Sequence, residues 1–277
     1  MSEYRGRLAP TPTGYLHAGH AATFGTAHQR AVERAGMIVF RMEDLDPARC
    51  KPEFVDAALE DLSWLGFRWQ EGPFYQSQRT GQYLAAWRIL NELGVIYPCT
   101  KSRKDVESAP FAPHEEEKLF PMEWRPSIGF GRDFEKPDGF NWRFRVPDGR
   151  RVTFTDGRCG DFARMAGTEF GDFVVWRRDG VPAYELAVVV DDVAMDITEV
   201  VRGEDLLVST CRQLLIYEAL AARAPAFYHC PLVRDAKGER LAKRAGALSI
   251  RALRDAGVPP TDVLAGTPAS RAISSSI

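Results

Sequence analysis

The chain has 277 residues, 45% of them hydrophobic and 27% charged, with a formal net charge of −2. This composition fits an ordinary globular protein with a real core, organised as one large or two small domains. The near-neutral balance excludes a global positive field, so any contact with a polyanion must come from local basic patches.

In chain order, residues 5–9 read as a short strand that runs into the Pro/Gly turn at 10–14. Residues 21–34 are Ala-rich with helical spacing and stop at Gly36. Residues 37–42 are a short apolar run bounded by charge, as expected of a buried parallel strand. Residues 53–65 and 82–93 repeat apolar side chains at helical spacing. This alternation predicts an α/β protein with a doubly wound, parallel, Rossmann-like sheet. The rhythm breaks from Pro98 to about Asp172, where prolines, glycines, the acidic run 115–117 and short alternating strands at 141–146 and 152–154 predict an inserted α+β subdomain. The sheet is predicted to resume with strands at 187–190 and 198–201, followed by a helix over 211–222. The expected organisation is therefore 1–97, an insert at 98–172, and 173–277.

No apolar run is long enough to cross a bilayer and no charged-then-apolar leader opens the chain, so a cytoplasmic location away from membranes is expected. Five cysteines, Cys50, Cys99, Cys159, Cys211 and Cys230, are odd in number and lack C-x-x-C pairing. That spacing argues against a disulfide framework or a four-cysteine zinc site.

Two segments carry the chemistry. Residues 10–20 place His17 and His20 three residues apart at a Gly-rich turn opening a helix. Residues 240–244 place Arg240, Lys243 and Arg244 on a Gly-flanked loop. Together they can hold one polyphosphate from two sides, which is what making an adenylate from ATP requires. His17 and His20 can donate to phosphate oxygens, with the helix N-terminus and the Gly19 backbone adding favourable dipoles. Alone, they would read equally as surface or core histidines. Lys243 suits a departing pyrophosphate, because a point charge follows a moving anion without a fixed fork geometry. Lys237 and Arg240 also fit a solvated charge run. In an open α/β sheet, ligands sit at the carboxyl ends of strands, where residues 10–20 and Glu43 with Asp44 fall. Asp191 and Asp192 either hold ribose hydroxyls or cap the turn after a strand.

These segments resemble the two signature motifs of class I aminoacyl-tRNA synthetases. Residues 7–14, 41–49, 75–79, 188–192 and 201–203 resemble, in the same order, the glutamate-specific branch, and the likeness covers most of 5–250. The short form resembles the glutamyl-queuosine tRNA(Asp) synthetases, a family of catalytic-domain paralogues. The resemblance makes 1–97 and 173–277 the two halves of a nucleotide-binding catalytic domain and 98–172 an acceptor-type insert. Only 245–277 follow the second motif, so a short helical stub and no anticodon-binding domain are expected.

The resemblance implies activation of L-glutamate by ATP with Mg2+ and transfer of glutamate to queuosine in the anticodon of tRNA(Asp). It implies His17, His20 and Lys243 as catalytic residues, with Gly19, Arg240 and Leu241 also at ATP. Arg7 and Arg202 become the cations for the side-chain carboxylate, and Arg suits that task because its planar fork binds both oxygens. Glu43 would take the ammonium and Tyr184 would add a hydroxyl, with Ala9 and Thr11 lining the turn. The chain departs from the pattern at Arg240 for lysine, Ala242 for serine and Glu185 for Asn or Gln; a carboxylate at 185 would repel the substrate if it pointed inward. Cys99 keeps only the first sulfur of the family's zinc site, and His114 and Cys159 do not restore the spacing, so no metal site is expected. Arg143, Arg145, Arg150, Arg151, Arg158, Arg164, Arg177 and Arg178, with Trp142 and Phe144 among them, either contact RNA or form a solvated mixed-charge surface. Two other readings stand beside this one: a glutamyl-tRNA synthetase lacking its C-terminal half and charging tRNA(Glu), and a catalytically silent RNA-binding paralogue. The glutamate set argues against the silent binder. A monomer is expected.

Overall fold

The computed structural model describes residues 3–108, 119–233 and 249–265. In chain order these form β1 (Arg5–Leu8), α1 (Ala18–Glu33), β2 (Met37–Met42), α2 (Pro52–Trp64), β3 (Glu71–Tyr75), α3 (Thr80–Glu92), β4 (Ile96–Cys99) and α4 (Arg103–Ser108). They continue with β5 (Asn141–Phe144), β6 (Arg151–Asp156), β7 (Gly160–Met165), β8 (Phe173–Trp176), α5 (Tyr184–Ala194), β9 (Glu199–Gly203), α6 (Leu207–Ala219), β10 (Ala226–Cys230), α7 (Ile250–Asp255) and α8 (Pro260–Leu264). Two compact units share the chain. The first comprises Met1–Ser77, Ile197–Asp205 and Pro225–Ile277, the second Gln78–Asp196 and Leu206–Ala224. The rhythm of the sequence drew its insert at 98–172 instead.

In the first unit β1, β2 and β3 pair in parallel, as do β9 and β10. Successive backbone groups of a strand point to opposite edges, and β1 uses both. The Tyr4 carbonyl accepts from Met37 N–H at 2.9 Å on the β2 side, while Arg5 donates its amide to Thr198 Oγ1 (2.8 Å) and accepts from Thr198 N–H (2.9 Å) on the other. The strand order is therefore β3-β2-β1-β9-β10, and the direction of winding reverses between β1 and β9. That reversal is the topological switch point of a doubly wound sheet, where ligands bind.

α1 packs on this sheet through Ala21, Phe24, Ala27 and Ala31, which share one apolar cluster with Leu8, Ile38, Phe40, Val201, Ile250 and Leu253. It begins at Ala18, three residues before its apolar periodicity, because His17 caps it. At its far end the left-handed residue is Ala35 (φ 47°), not Gly36. Gly36 is needed for a different reason: a Cβ there would lie 2.4 Å from the Tyr4 carbonyl oxygen.

In the second unit, β4, β5 and β8 form an antiparallel sheet and β6 pairs with β7. One predicted strand is absent. Residues 187–190 lie in α5, where every residue from Glu185 to Asp192 is buried. An apolar run buried all round carries no strand or helix period, and length decides between them. Asp191 consequently ends no strand. It accepts from Arg79 Nε (2.6 Å) and Tyr83 Oη (2.9 Å), an anchor between α3 and α5. No helix of the described residues is long and apolar enough to cross a membrane.

Glu199, at the start of β9, ties the first unit together by accepting from Arg30 Nε and Nη2 (both 2.7 Å) and from Tyr4 Oη (2.8 Å). Burial pushes its carboxyl up, but the hydrogen bonds from Arg30 and Tyr4 outweigh burial and hold it below its ordinary 4.5. A carboxylate depressed in the fold contributes stability above its unfolded value and loses it as pH falls through the folded one. Glu199→Gln is expected to cost about 2–3 kcal/mol at neutral pH, since Arg30 keeps some water. Urea melts should show that deficit shrinking as pH drops below about 4.5; a deficit that does not change with pH would assign the loss to packing.

Candidate active site

All five strands of the first unit run in parallel, so the segments leaving their carboxyl ends gather on one edge. The turn after β1 is joined to the segment after β2: Glu43 N–H donates to the Pro10 carbonyl (2.9 Å) and Thr11 Oγ1 donates to Glu43 Oε2 (3.3 Å). Glu43 is buried and paired from below by Arg41 Nη2 at 3.3 Å. Asp44 turns away and accepts from Ser77 N–H (2.9 Å) and Oγ (2.6 Å), which fixes the segment after β3.

The two histidines lock one another. Gly19 N–H donates to His17 Nδ1 and His17 N–H donates to His20 Nδ1, both at 3.1 Å, and the rings lie 3.9 Å apart. This is a capping box built from imidazoles rather than a hydroxyl and a carboxylate. A ring nitrogen that accepts carries no proton, so both neutral rings hold theirs on Nε2. Each therefore presents an Nε2–H donor at the N-terminus of α1, where the helix dipole also favours an anion.

Arg7 and Arg202 flank the switch point, each 4% exposed. Arg7 Nη1 donates to the Val201 carbonyl (3.3 Å), one residue before Arg202. Arg202 Nε donates to His229 Nε2 (3.2 Å) and its guanidinium lies 5.6 Å from the Phe227 ring centre. A guanidinium suits a carboxylate, because its planar fork matches both oxygens.

Lys243, Arg240, Leu241, Ala242, Arg244 and Lys237 lie outside the described residues. Both flanks of their segment are in place. Leu232 N–H donates to Glu204 Oε1 (3.2 Å) after β10. Beyond the segment, Ser249 forms a bridge with His17 and Ile250 N–H donates to the Leu16 carbonyl (2.8 Å). Ser249 and Ile250 thus join the chain to the first motif.

Of the sequence candidates, Arg7, Ala9, Thr11, His17, Gly19, His20, Glu43 and Arg202 belong to the first unit. Tyr184 belongs to the second, where it opens α5 and is exposed. Its neighbour Glu185 is buried and accepts from Ser209 Oγ and Gln213 Nε2, both at 2.8 Å, with Arg212 at 3.9 Å. The unexpected carboxylate is consumed by α6. Trp142 and Phe144 are core residues, and Arg143 is buried against the Phe120 ring. Arg145, Arg150 and Arg177 bond to Pro126, Glu218 and Asp179. The aromatic part of the proposed RNA patch is thereby withdrawn from base stacking. Cys99 is buried with Tyr97 and Phe120, and His114 lies outside the described residues. No three His, Cys, Asp or Glu converge on a metal-sized site among the described residues.

Sequence reasoning missed His229, Thr198 and Ser249. His229 had a faint signal, as a polar residue in the otherwise apolar strand AFYHC. Thr198 acts through hydrogen bonds to distant backbone, which leave no local pattern, whereas Ser249 caps α7 by accepting from Ala252 N–H, a local signal.

The family model for class I tRNA synthetases (E and Q), catalytic domain, matches residues 3–269. The chain belongs to this family. It is 44% identical to a glutamyl-Q tRNA(Asp) synthetase from Nitratidesulfovibrio vulgaris, covering 94% of this chain and 83% of that protein. Against the glutamate–tRNA ligase of Aquifex aeolicus identity is 40%, over 94% of this chain and 55% of the ligase. A crystal structure of a glutamate tRNA ligase from Elizabethkingia meningosepticum, in complex with its amino acid, superposes with a TM-score of 0.74 at 29% identity, over 88% of this chain and 53% of that one. The chain spans about half the length of the glutamate ligases it matches.

A methyl group at Gly19 would sit 3.0 Å from His17 Cε1 and 3.1 Å from Nδ1, tighter than an unstrained contact. Gly19→Ala is expected to leave thermal stability nearly unchanged, since alanine's preference for a helix by about 1 kcal/mol over glycine is offset by a weakened His17 cap. The displaced His17 ring should slow adenylate formation by about tenfold. Pyrophosphate exchange should therefore fall while the melting curve barely moves; a normal exchange rate would remove His17 from phosphate binding.

Proposed function

We propose that this protein activates L-glutamate with ATP and transfers it to queuosine in the anticodon of tRNA(Asp). The observation that carries the reading is the presence in one unit of the buried Arg7 and Arg202 and of a His17–His20 pair whose Nδ1 atoms cap α1. The long match to glutamyl-Q tRNA(Asp) synthetases, over 83% and 84% of two such proteins, supports the choice of acceptor. A tRNA acceptor makes the cytoplasm the site of the reaction.

Chemically, an α-carboxylate oxygen of glutamate attacks the α-phosphorus of ATP, the bond to the β-phosphate oxygen breaks, and pyrophosphate leaves. Arg7 and Arg202 bind the side-chain carboxylate, and Glu43 accepts from the ammonium. Ala9 and Thr11 line the turn, and Tyr184 supplies a hydroxyl. His17 and His20 donate Nε2–H to phosphate oxygens whose charge grows in the transition state, while the Gly19 region adds the helix dipole. Arg240, Leu241 and Lys243 bind the phosphates, with Mg2+ accompanying ATP. A hydroxyl of the queuosine cyclopentene-diol then attacks the adenylate carbonyl; an ester forms, AMP leaves, and the hydroxyl proton is released.

Arg202→Ala is expected to weaken glutamate binding by about 2–5 kcal/mol, a KM increase of roughly 30-fold or more, because a carboxylate loses one of two cations. The KM for ATP should barely move. Lys243→Ala should instead depress adenylate formation with little change in glutamate affinity, as its contact strengthens with the leaving charge. Pyrophosphate exchange at varied glutamate and ATP separates these effects; equal damage to both KM values would contradict the Arg202 role.

The acceptor is tested with radiolabelled glutamate offered to tRNA(Asp) with and without queuosine, and to tRNA(Glu). Label is expected only on the queuosine-containing tRNA(Asp). Label on tRNA(Glu) would replace the proposal with ligation to that tRNA.

A further inference from the structure

His229 is fully buried on β10 and lies directly beside Arg202 of β9 in the parallel register. Its Nε2 accepts from Arg202 Nε–H at 3.2 Å, so the neutral ring carries its proton on Nδ1. Phe227, two residues earlier on the same face of β10, lies nearly parallel to the His229 ring, with centres 6.2 Å apart. The guanidinium is thus held at one nitrogen by His229 and set against Phe227. A guanidinium has five donors in a fixed plane. Once Nε is committed, the direction of the two terminal nitrogens is set to the extent that the chain before it is rigid. Arg202 starts from a paired strand, which fixes that chain.

We infer that His229 is a positioning residue that orients Arg202 for the side-chain carboxylate of the amino-acid substrate. The inference rests on the proposed glutamate role of Arg202. An imidazole suits the task because it accepts at Nε2 without adding a negative charge. A carboxylate in its place would pair with Arg202 outright and compete with the substrate for the same cation. The neutral acceptor steers the guanidinium without adding a charge of its own.

The test uses the full chain in glutamate-dependent pyrophosphate exchange with His229→Phe, which keeps a ring and removes the acceptor, and His229→Gln, whose amide oxygen restores one. His229→Phe is expected to raise the glutamate KM about tenfold, with the KM for ATP and kcat within about twofold of wild type. His229→Gln should recover most of that loss. In an Arg202→Ala background, His229→Phe should add nothing further, because its effect passes through Arg202. An undiminished effect in that background, or an equal rise in the KM for ATP, would overturn the inference and make His229 a packing residue. If Arg202→Ala damages glutamate binding and His229→Phe does not, only the inference falls; if Arg202→Ala has no effect on glutamate, the reading of Arg202 falls with it. Should His229→Phe not fold, His229→Asn, whose amide falls short of Nε, takes its place and the same outcomes apply.

Discussion

Two hydrogen bonds at the start of α1 determine what the molecule can present to a phosphate. His17 and His20 use their Nδ1 atoms to satisfy backbone amides of the first helical turn, amides that would otherwise lack partners. One pair of bonds thereby caps a helix, fixes two ring orientations and selects the Nε2–H tautomer of both. Structure and chemistry share the same atoms. Ser and Glu would cap the helix as well and would leave no ring donors behind.

The cap matters only because of where β1 delivers it. β1 pairs with β2 on one edge and is tied to β9 on the other through Thr198. Parallel pairing sends the turn at Pro10, the carboxylate of Glu43 and the guanidinium of Arg202 to one edge of the sheet. Glu199, bonded to Arg30 and Tyr4, clamps α1 to this arrangement and sits three residues before Arg202. Ser249 and Ile250 join His17 and Leu16 at the same place. The residues proposed for phosphate and for the substrate carboxylate are positioned by one strand order.

Much of this was legible in the sequence where a period or a cap announces itself. β2 falls on its predicted residues, and α1, α2 and α3 shift by only a few, because amphipathic spacing and glycine stops are local signals. The apolar run inside α5 misled for a physical reason: burial on every side erases the alternation that distinguishes strand from helix. Glu185 reads as an obstacle to substrate, yet Ser209 and Gln213, more than twenty residues later, donate hydrogen bonds to its buried carboxylate. Nothing near position 185 encodes those contacts. The same holds for His229 and Arg202, which become neighbours only when β10 is laid beside β9.

The tautomers of His17 and His20 offer the most direct measurement. Long-range nitrogen–proton correlation spectra of the 15N-labelled protein at neutral pH distinguish the two ring nitrogens of each histidine. Both residues are expected to show a protonated Nε2 and an unprotonated Nδ1, with the Nε2 signals moving when a non-hydrolysable ATP analogue is added. A proton on Nδ1 of either ring would break the reciprocal cap and contradict the assignment of these imidazoles as phosphate donors.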